Sequence, residues 1–268
     1  MMNISVIGAG YVGLITGIGF AKLNHQVSIV DLNDDLIKNL NENRPPFYEP
    51  ELVEYLNDSN IRDNLFFSTS YQKSINENTD IVFVCVQTPT DPDTGKTKTD
   101  YISSVLAELK KIESFNFIIC IKSTIKATLV EKISNEIDLD YKKIIFNPEF
   151  LREGSAFYDF FNPDRIVIGG SDQKGLNQCT ELYESFDCEK IITDSNSSQM
   201  IKYLSNTYLA MRLSFVNETY RLVSEFNGNP EEVLNAIGKD KRIGNDYFRP
   251  SPGWGGSCFP KDVKEVIS

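Results

Sequence analysis

The amino-acid sequence predicts an α/β fold: a doubly wound, mostly parallel sheet, followed by a long helix and a small helical region. Three observations predict it. Short β-branched and apolar runs alternate with helical patterns up to residue 192, a glycine-rich turn follows the first run, and a long pattern without Gly or Pro follows the last. Strands that alternate with helices form parallel βαβ units, which build a doubly wound sheet.

The individual strands are predicted where buried runs occur. These runs lie at residues 4–7, 27–30, 66–68, 81–86, 117–121, 144–146 and 165–169. Helical patterns lie between most of them, as at 101–112 and 129–137.

After Ile192 the pattern changes from alternating runs to one continuous helix. Residues 194–198 are polar and rich in helix-capping types, and residues 199–226 contain apolar residues at helical spacing. The segment 227–230, Asn-Gly-Asn-Pro, ends this helix. One small domain does not bury so long a helix. We therefore expect residues 199–226 to form a helix that connects two domains and a homodimer contact. The stretch 244–261 reads as a loop rich in Gly, Pro and aromatic residues, with a helix beginning after it.

Composition and charge exclude several classes of function. The formal net charge of −11 argues against general binding to nucleic acid or to an anionic membrane, although backbone amides still hold a phosphate-bearing small ligand. No apolar run approaches the roughly 18 residues that span a bilayer. The first ten residues lack the basic region and cleavage site of a signal peptide, so we expect a cytoplasmic protein.

The five cysteines and the one histidine restrict the available chemistry. No CxxC pair occurs, which predicts neither a metal site nor a redox pair. Cys85 and Cys120 lie in apolar runs and are predicted core residues, whereas Cys179 and Cys188 are predicted on a surface helix and at its end. His25 is predicted at the surface, so proton transfers in any enzyme of this sequence use Asp, Glu, Lys, Cys, Thr or water.

The turn after the first strand carries a dinucleotide-binding fingerprint, GxGxxG. It follows a strand, opens a helix and precedes a second strand that ends at Asp31, which is the context that the fingerprint requires. The glycines permit the tight turn, the approach of the pyrophosphate and close helix–strand packing, and the helix N-terminus offers N–H groups to the phosphates. Asp31 accepts hydrogen bonds from the ribose and repels a 2′-phosphate, which favours NAD over NADP. The predicted cofactor contacts are Gly8, Gly10, Tyr11, Val12, Gly13 and Asp31. We therefore predict a Rossmann-type NAD-binding domain at 1–194 and a central helical and dimerisation region at 195–268.

Several further motifs follow in order along the chain. They are GAGYVGL at 8–14, FYEP at 47–50, QTPT at 87–90, KST at 122–124, NPEFLREG at 147–154 and GGSCFPKD at 255–262. Together they resemble the motifs of the UDP-glucose/GDP-mannose dehydrogenase family, and the resemblance extends over residues 1–268. The NPDRIV segment at 162–167 is more similar to the members that act on UDP-glucose than to those that act on GDP-mannose. The N-acetylmannosaminuronate branch differs at FLREG.

The resemblance implies oxidation of the primary alcohol of a sugar nucleotide to a carboxylate, with two NAD molecules and one water. Going beyond the aldehyde needs a nucleophile, and a thiol supplies one by forming a thiohemiacetal and then a thioester. Cys258 fits this role because it lies in a glycine-rich loop, and a cation such as the nearby Lys261 favours a thiolate. Lys202 and Asn206 share one helix face and can stabilise an oxyanion.

The remaining site residues follow from the resemblance. The implied catalytic set is Cys258, Lys202, Asn206, Asp262, Thr124 and Glu153. The proton carrier stays open between Glu153, acting with Thr124, and Asp262. Further implied cofactor contacts are Thr88, Pro89, Thr124, Glu153 and Lys261. The implied substrate contacts are Glu149, Phe150, Leu151, Arg152, Glu153, Lys202, Asn206, Arg242, Tyr247, Phe248, Arg249, Pro250, Ser251 and Gly255.

The expected function is NAD-dependent oxidation of UDP-glucose to UDP-glucuronate, usual in bacterial polysaccharide synthesis. Family members carry a third domain that closes over the uridine diphosphate, and we expect it to be absent from these 268 residues. Two alternatives stay open: oxidation of GDP-mannose, and a non-catalytic fragment that binds NAD and dimerises. A two-electron hydroxyacid dehydrogenase of the same architecture has no need of the thiol at Cys258.

Overall fold

A computed structural model describes residues 1–92, 94–112, 116–256 and 258–267. Ser257 of the GGSCFPKD motif therefore lies outside the described residues. The chain forms two compact units, the first containing residues 1–88 and 98–200 and the second containing residues 89–97 and 201–268.

The secondary structure alternates strands and helices as far as the long helix. The strands are β1 Asn3–Ile7, β2 Gln26–Val30, β3 Leu65–Ser68, β4 Ile81–Val84, β5 Ile118–Ile121, β6 Ile144–Phe146, β7 Arg165–Gly169 and β8 Glu189–Thr193. The helices are α1 Tyr11–Lys22, α2 Asp34–Asn41, α3 Leu52–Asn57, α4 Ser59–Arg62, α5 Tyr71–Ser74, α6 Asp100–Lys111, α7 Ala127–Glu136, α8 Ala156–Phe161, α9 Gln173–Leu182, α10 Ser195–Glu225, α11 Pro230–Gly238 and α12 Phe259–Ile267, with a 3-10 turn at Tyr141–Lys143.

The first unit is built on one sheet, in which the described strands have the order β3-β2-β1-β4-β5-β6-β7-β8. Its pairs are parallel except β6 with β7, which meet in the antiparallel sense at Phe146 and Gly169. The chain winds outward from β1 to β3 on one side and then from β4 onward on the other. This confirms the predicted doubly wound fold, whose ligands bind at the carboxyl ends of the strands where the order reverses, here between β1 and β4.

The central strands of the sheet are buried on both faces because they alternate their side chains between two apolar layers. In β4, Ile81 and Phe83 enter the layer covered by α1, α8 and α9, whereas Val82 and Val84 enter the layer covered by α6 and α7. Side chains in a strand point to opposite faces with a period of two, so a strand covered twice is a continuous apolar run.

A buried polar cluster lies beside the antiparallel junction of β6 and β7. The Lys122 ammonium donates to Asn147 Oδ1 at 2.9 Å, and the Tyr183 hydroxyl donates to the same oxygen at 2.6 Å. The Asn147 amide donates in turn to the Val167 carbonyl at 2.9 Å. Buried polar groups are stable when they are hydrogen-bonded, so this cluster holds β5, β6 and β7 together where the ladder is shortest.

Two cysteine predictions were wrong. Cys179 is fully buried, because it lies on the inner face of α9, and its Sγ is 4.0 Å from that of Cys120. Cys188 is half-buried and directly precedes β8 instead of ending a helix. Strand β8 and helix α11 were not among the predicted elements. The long helix starts at Ser195, not at 199, since Asp194 accepts from the Ser197 amide at 2.9 Å and thereby caps it.

The second unit contains α10 from residue 201, α11, α12 and the segment 89–97. Its small apolar core consists of Val216, Leu234 and Phe248, with Ile237 packed against them. The long helix and the small helical region are therefore confirmed. None of the described helices is long and apolar enough to cross a bilayer.

Candidate active site

The turn between β1 and α1 has the geometry of a phosphate-binding loop. Gly8 has φ +100°, and a Cβ at Gly13 would lie 1.8 Å from the Gly8 carbonyl oxygen, so helix and turn are in direct backbone contact. Gly10 is the N-cap of α1 without a side-chain cap, and a Cβ there would meet no described atom within 4 Å. The first N–H groups of α1 thus face open space at the positive end of the helix dipole.

Asp31 follows β2 and closes the other side of this turn. Its Oδ2 accepts from the Ala9 amide at 2.9 Å, and its Oδ1 accepts from the Asn33 amide at 3.0 Å. Each carboxylate oxygen has a second lone pair for a ribose hydroxyl. The backbone bonds fix the direction of the carboxylate before any ligand arrives.

The ends of β4 and β5 bring two predicted cofactor residues together. The Thr88 hydroxyl donates to the Thr124 carbonyl at 2.9 Å, and the Ser123 hydroxyl donates to the Val86 carbonyl at 2.7 Å. Pro89, which is half-buried, begins the segment that belongs to the second unit. These bonds hold Thr88 and Thr124 at the sheet edge where the strand order reverses.

The predicted substrate segment at 149–153 is an irregular loop after β6 and not a helix. Glu149 is half-buried and accepts from the Leu151 amide at 2.7 Å, and the Phe150 ring lies 4.0 Å from the Arg165 guanidinium. Arg152 is exposed and forms an ion pair with Asp159, and Glu153 is exposed.

Glu49 fastens this loop to the dinucleotide turn. Its buried carboxylate accepts from the Tyr11 hydroxyl at 2.8 Å, the Gly154 amide at 2.9 Å and the Ala156 amide at 2.8 Å. Burial, and then the hydrogen bond to Glu49, raises the pKa of Tyr11 far above its ordinary value. A neutral tyrosine thus joins the start of α1 to the loop that was predicted to contact the sugar.

In the second unit, Asp262 is the centre of a buried polar network. Its carboxylate, 1% exposed, accepts from the Asn206 amide at 2.6 Å and from the Lys261 ammonium at 2.8 Å. Lys202 is also buried and lies one turn before Asn206 on α10. The network therefore combines a carboxylate that can take a proton with donors that can stabilise negative charge.

Cys258 lies at the beginning of the helix that carries Asp262. Its carbonyl accepts from the Asp262 amide at 2.9 Å, and the residue is exposed. The N-terminal end of a helix favours negative charge, which is the charge of a reacting thiolate or an oxyanion.

The predicted sugar-nucleotide loop at 242–255 is held by side chains of α10. Arg212 donates to the Ile243 and Gly244 carbonyls at 3.0 Å each. Asn217 Oδ1 accepts from the Ser251 amide at 3.0 Å, and Ser214 Oγ accepts from the Trp254 indole at 2.9 Å. These three α10 positions organise the loop from one side.

The predicted contacts within this loop differ in exposure. Arg242 is exposed and paired with Asp240, whose pKa this guanidinium lowers. Phe248 is 7% exposed and packs in the small apolar core, so it shapes the loop from inside. The exposed members are Tyr247, which has φ 55°, Arg249, Pro250, Ser251 and Gly255.

The two units thus carry different chemistry. The first presents a glycine turn, an acidic residue after β2 and an uncapped helix N-terminus, which define a dinucleotide-binding domain of the dehydrogenase type. The second presents a thiol at a helix start beside a buried acid. Among the described residues, no group of three or more His, Cys, Asp or Glu side chains forms a metal site.

Comparison with known families agrees with this class. Residues 2–187 match the NAD-binding domain of the UDP-glucose/GDP-mannose dehydrogenase family, and residues 196–268 match its central domain. The chain belongs to this family, and its cofactor is NAD. The open space before Gly10 and the fixed Asp31 carboxylate fit that cofactor.

Individual relatives have the same architecture. The chain is 36% identical over 274 residues to UDP-glucose 6-dehydrogenase YwqF of Bacillus subtilis, covering 99% of this chain and 61% of the relative. It superposes on a UDP-glucose dehydrogenase from Pyrobaculum islandicum with a TM-score of 0.91 and 36% identity, over 100% of this chain and 63% of that one. A GDP-mannose dehydrogenase from Pseudomonas aeruginosa gives a TM-score of 0.81 and 29% identity, over 99% and 64% of the two chains. The chain thus spans about three fifths of the length of these relatives.

Several site residues had no role in the sequence prediction. Glu49 was noted only as part of a motif, and Arg212, Thr97 and Glu265 were not singled out. Their partners lie far away in sequence, up to 168 residues for Thr97 and Glu265, and spacing along a chain carries no signal for such pairs.

Proposed function

We propose that this chain oxidises UDP-glucose to UDP-glucuronate as the NAD-binding and thiol-bearing part of a UDP-glucose 6-dehydrogenase. The observation that carries the proposal is the buried network in which Asn206 of α10 and Lys261 donate to Asp262, on the helix that begins directly after Cys258. The relatives at 36% identity named as UDP-glucose dehydrogenases support the choice of substrate.

NAD, when bound, accepts a hydride in each of two oxidations. Gly8, Gly10 and Gly13 leave room for its pyrophosphate at the start of α1, and Asp31 receives its ribose. Tyr11 and Val12 complete the turn, and Thr88, Pro89 and Thr124 border the same sheet edge.

Cys258 performs the covalent chemistry between the two oxidations. After the alcohol has become an aldehyde, the Cys258 sulfur forms a bond to the carbonyl carbon, and the oxygen takes up a proton to give a thiohemiacetal. Loss of a hydride from that carbon and of the proton from that oxygen gives a thioester. Water then attacks the thioester, the C–S bond breaks, and the sulfur regains its proton as the carboxylate is released.

The neighbours of Cys258 stabilise charge and move protons in these steps. Lys202 and the Asn206 amide supply donors for the oxyanion at the reacting carbon. Asp262, held by Asn206 and Lys261, and Glu153 are the two candidate carriers of the proton. In the first unit Glu49 supports the loop at 149–153, and in the second unit Arg212 supports the loop at 242–255; each loop is a proposed sugar-nucleotide contact.

We also propose that the chain forms a homodimer through α10. Five apolar side chains on this helix, and a sixth directly after its end, recur at three-, four- and seven-residue intervals and are each at least half exposed. They are Leu204, Tyr208, Met211, Phe215 and Leu222, followed by Phe226. A continuous apolar stripe of this kind marks an interaction surface. A second copy offers the same stripe, which a twofold interface requires.

The test is to follow NADH formation by the 268-residue chain with UDP-glucose and NAD, beside Cys258→Ser. Two NADH per sugar from the wild type and loss of turnover in the variant are the expected results. GDP-mannose, assayed in parallel, is expected to give no comparable rate. A folded, NAD-binding chain that forms no NADH with either sugar would overturn the proposal and leave a cofactor-binding fragment.

A further inference from the structure

A second buried carboxylate lies one turn beyond Asp262 on α12. Glu265 is 4% exposed, and its Oε2 accepts from both the amide of Thr97 at 3.1 Å and the hydroxyl of Thr97 at 2.7 Å. Asp262 and Glu265 are three residues apart, so they share the inner face of the helix. A buried carboxylate is costly unless it is hydrogen-bonded, and the two donors of Thr97 are among those that satisfy it.

Thr97 closes a short hairpin that begins directly after Thr88. It forms an antiparallel bridge with Thr90, and inside that bridge the Asp91 amide donates to the Lys96 carbonyl at 2.8 Å. The hairpin is pinned at its base, so a bond that fixes Thr97 also fixes Thr90 and, through the chain, Pro89. Pro89 is one of the residues that the proposed function assigns to the cofactor.

Tyr203 of α10 lies near both carboxylates. It is 1% exposed, and burial, together with the negative charges of Glu265 and Asp262, raises its pKa far above the ordinary value. The tyrosine therefore stays neutral.

We infer that Glu265 is a positioning residue that couples the hairpin at 90–97 to the helix of Cys258 and Asp262. Binding of cofactor at Pro89 orders the hairpin, and the bonds of Thr97 to Glu265 transmit that order to α12. A ligand shifts a conformational equilibrium by the difference in its affinity for the two conformations. If the cofactor prefers the ordered hairpin, the bonds from Thr97 to Glu265, which also favour the ordered hairpin, favour cofactor binding. This inference rests on the proposed function.

The test compares Glu265→Ala, which removes the oxygen that accepts both bonds from Thr97, with Glu265→Gln, which keeps an amide oxygen. Lys264→Ala, an exposed change on the same helix, is the matched control. Amide hydrogen exchange of the 268-residue chain is measured with and without NAD. In wild type, Glu265→Gln and the control, NAD is expected to protect both 89–97 and 259–267. In Glu265→Ala, it is expected to protect residues near Gly10 but no longer 259–267.

Kinetics supply the second readout. Glu265→Ala is expected to raise the KM for NAD about tenfold, the order of change that loss of a hydrogen bond to a charged group produces, with Gln restoring most of it. Thr97→Val, which removes one of the two donors, is expected to show an intermediate effect if Glu265→Ala does not fold. Equal protection of 259–267 by NAD in wild type and Glu265→Ala, or none in wild type, would overturn the inference. Absence of NADH formation in wild type with the exchange pattern intact would instead overturn the proposed function alone.

Discussion

The two glycines at the start of α1 have opposite surroundings, and substitution of each by alanine separates folding from cofactor binding. A Cβ at Gly13 would lie 1.8 Å from the Gly8 carbonyl oxygen, 3.0 Å from the Gly8 carbonyl carbon and 3.3 Å from Cys85 Cβ. A Cβ at Gly10, whose φ of −76° suits any residue, would meet nothing within 4 Å. The same methyl group is therefore added once against backbone and once into open space.

The expected stability changes follow from these distances. Overpacking costs about 1–3 kcal/mol, and the obstacle at Gly13 is backbone that cannot rotate away, so Gly13→Ala should cost about 3 kcal/mol. A loss of this size lowers the melting temperature of a domain of this length by roughly 6–12 °C. Gly10→Ala should change the free energy of unfolding by less than about 0.5 kcal/mol, as surface substitutions do.

NAD affinity is expected to fall in Gly10→Ala, the variant whose stability is expected to stay unchanged. The space in front of Gly10 is where a pyrophosphate approaches the N–H groups of α1, and a methyl there holds the phosphate away. Loss of one hydrogen bond to a charged group, about 1.5–3 kcal/mol, raises the Kd for NAD roughly 10- to 100-fold.

The assay combines thermal unfolding with calorimetric titration of NAD for wild type and both variants. Gly10→Ala should melt with the wild type yet bind NAD weakly, whereas Gly13→Ala should melt early. A Gly10→Ala protein that binds NAD as tightly as wild type would refute the assignment of the phosphate site. Equal loss of stability in both variants would refute the packing argument.

Three further perturbations test other parts of the molecule. Glu49→Ala leaves the Tyr11 hydroxyl and two loop amides without their acceptor, so it should lower the free energy of unfolding by at least about 3 kcal/mol in chemical denaturation, and a loss below about 1 kcal/mol would contradict this. Arg212→Lys cannot hold the Ile243 and Gly244 carbonyls together, so the KM for UDP-glucose should rise several-fold while the Kd for NAD stays constant; a change in NAD affinity alone would argue against it. Burial lowers the pKa of His25 in the folded chain below its ordinary value of 6.5, so as the pH falls the imidazole is protonated in the unfolded chain first. The contribution of His25 to the free energy of unfolding is therefore complete above pH 6.5 and declines as the pH falls below 6.5. Denaturation at about pH 7 and pH 5.5 should show a smaller decline in His25→Gln, and equal declines would remove His25 from the account.

The parts of the fold that local pattern determines were predicted well. The runs at 81–86 and 144–146 became β4 and β6, because strands buried on both faces are continuously apolar. Strand β8 was missed because it lies at the sheet edge, with Glu189 and Ile192 exposed and its other residues only partly covered. Cys179 was misplaced because a helix that covers a sheet has a buried face, and polar neighbours in the sequence hide which face that is.

The residues of the candidate site also fall into those that a local motif indicates and those that depend on distant partners. Gly8, Gly13 and Asp31 could be proposed from the sequence because the fingerprint needs only a turn and the next strand. The roles of Glu49 and Glu265 were not found, because each carboxylate receives its donors from residues about 100 or more positions away. Such pairs exist only after the chain has folded, so a sequence pattern does not contain them.

The single tryptophan of the chain has a further use. Trp254 lies four residues before Cys258, and its indole donates to Ser214 at the edge of the loop proposed to hold the sugar nucleotide. An indole whose N–H has a fixed partner emits at a wavelength set by that surrounding, and no other residue of this protein contributes tryptophan emission. We expect titration with UDP-glucose to shift this emission and titration with an unrelated nucleotide to leave it unchanged. The chain thus carries an intrinsic optical reporter four residues before Cys258, and occupancy of the loop can be followed without a label and without turnover.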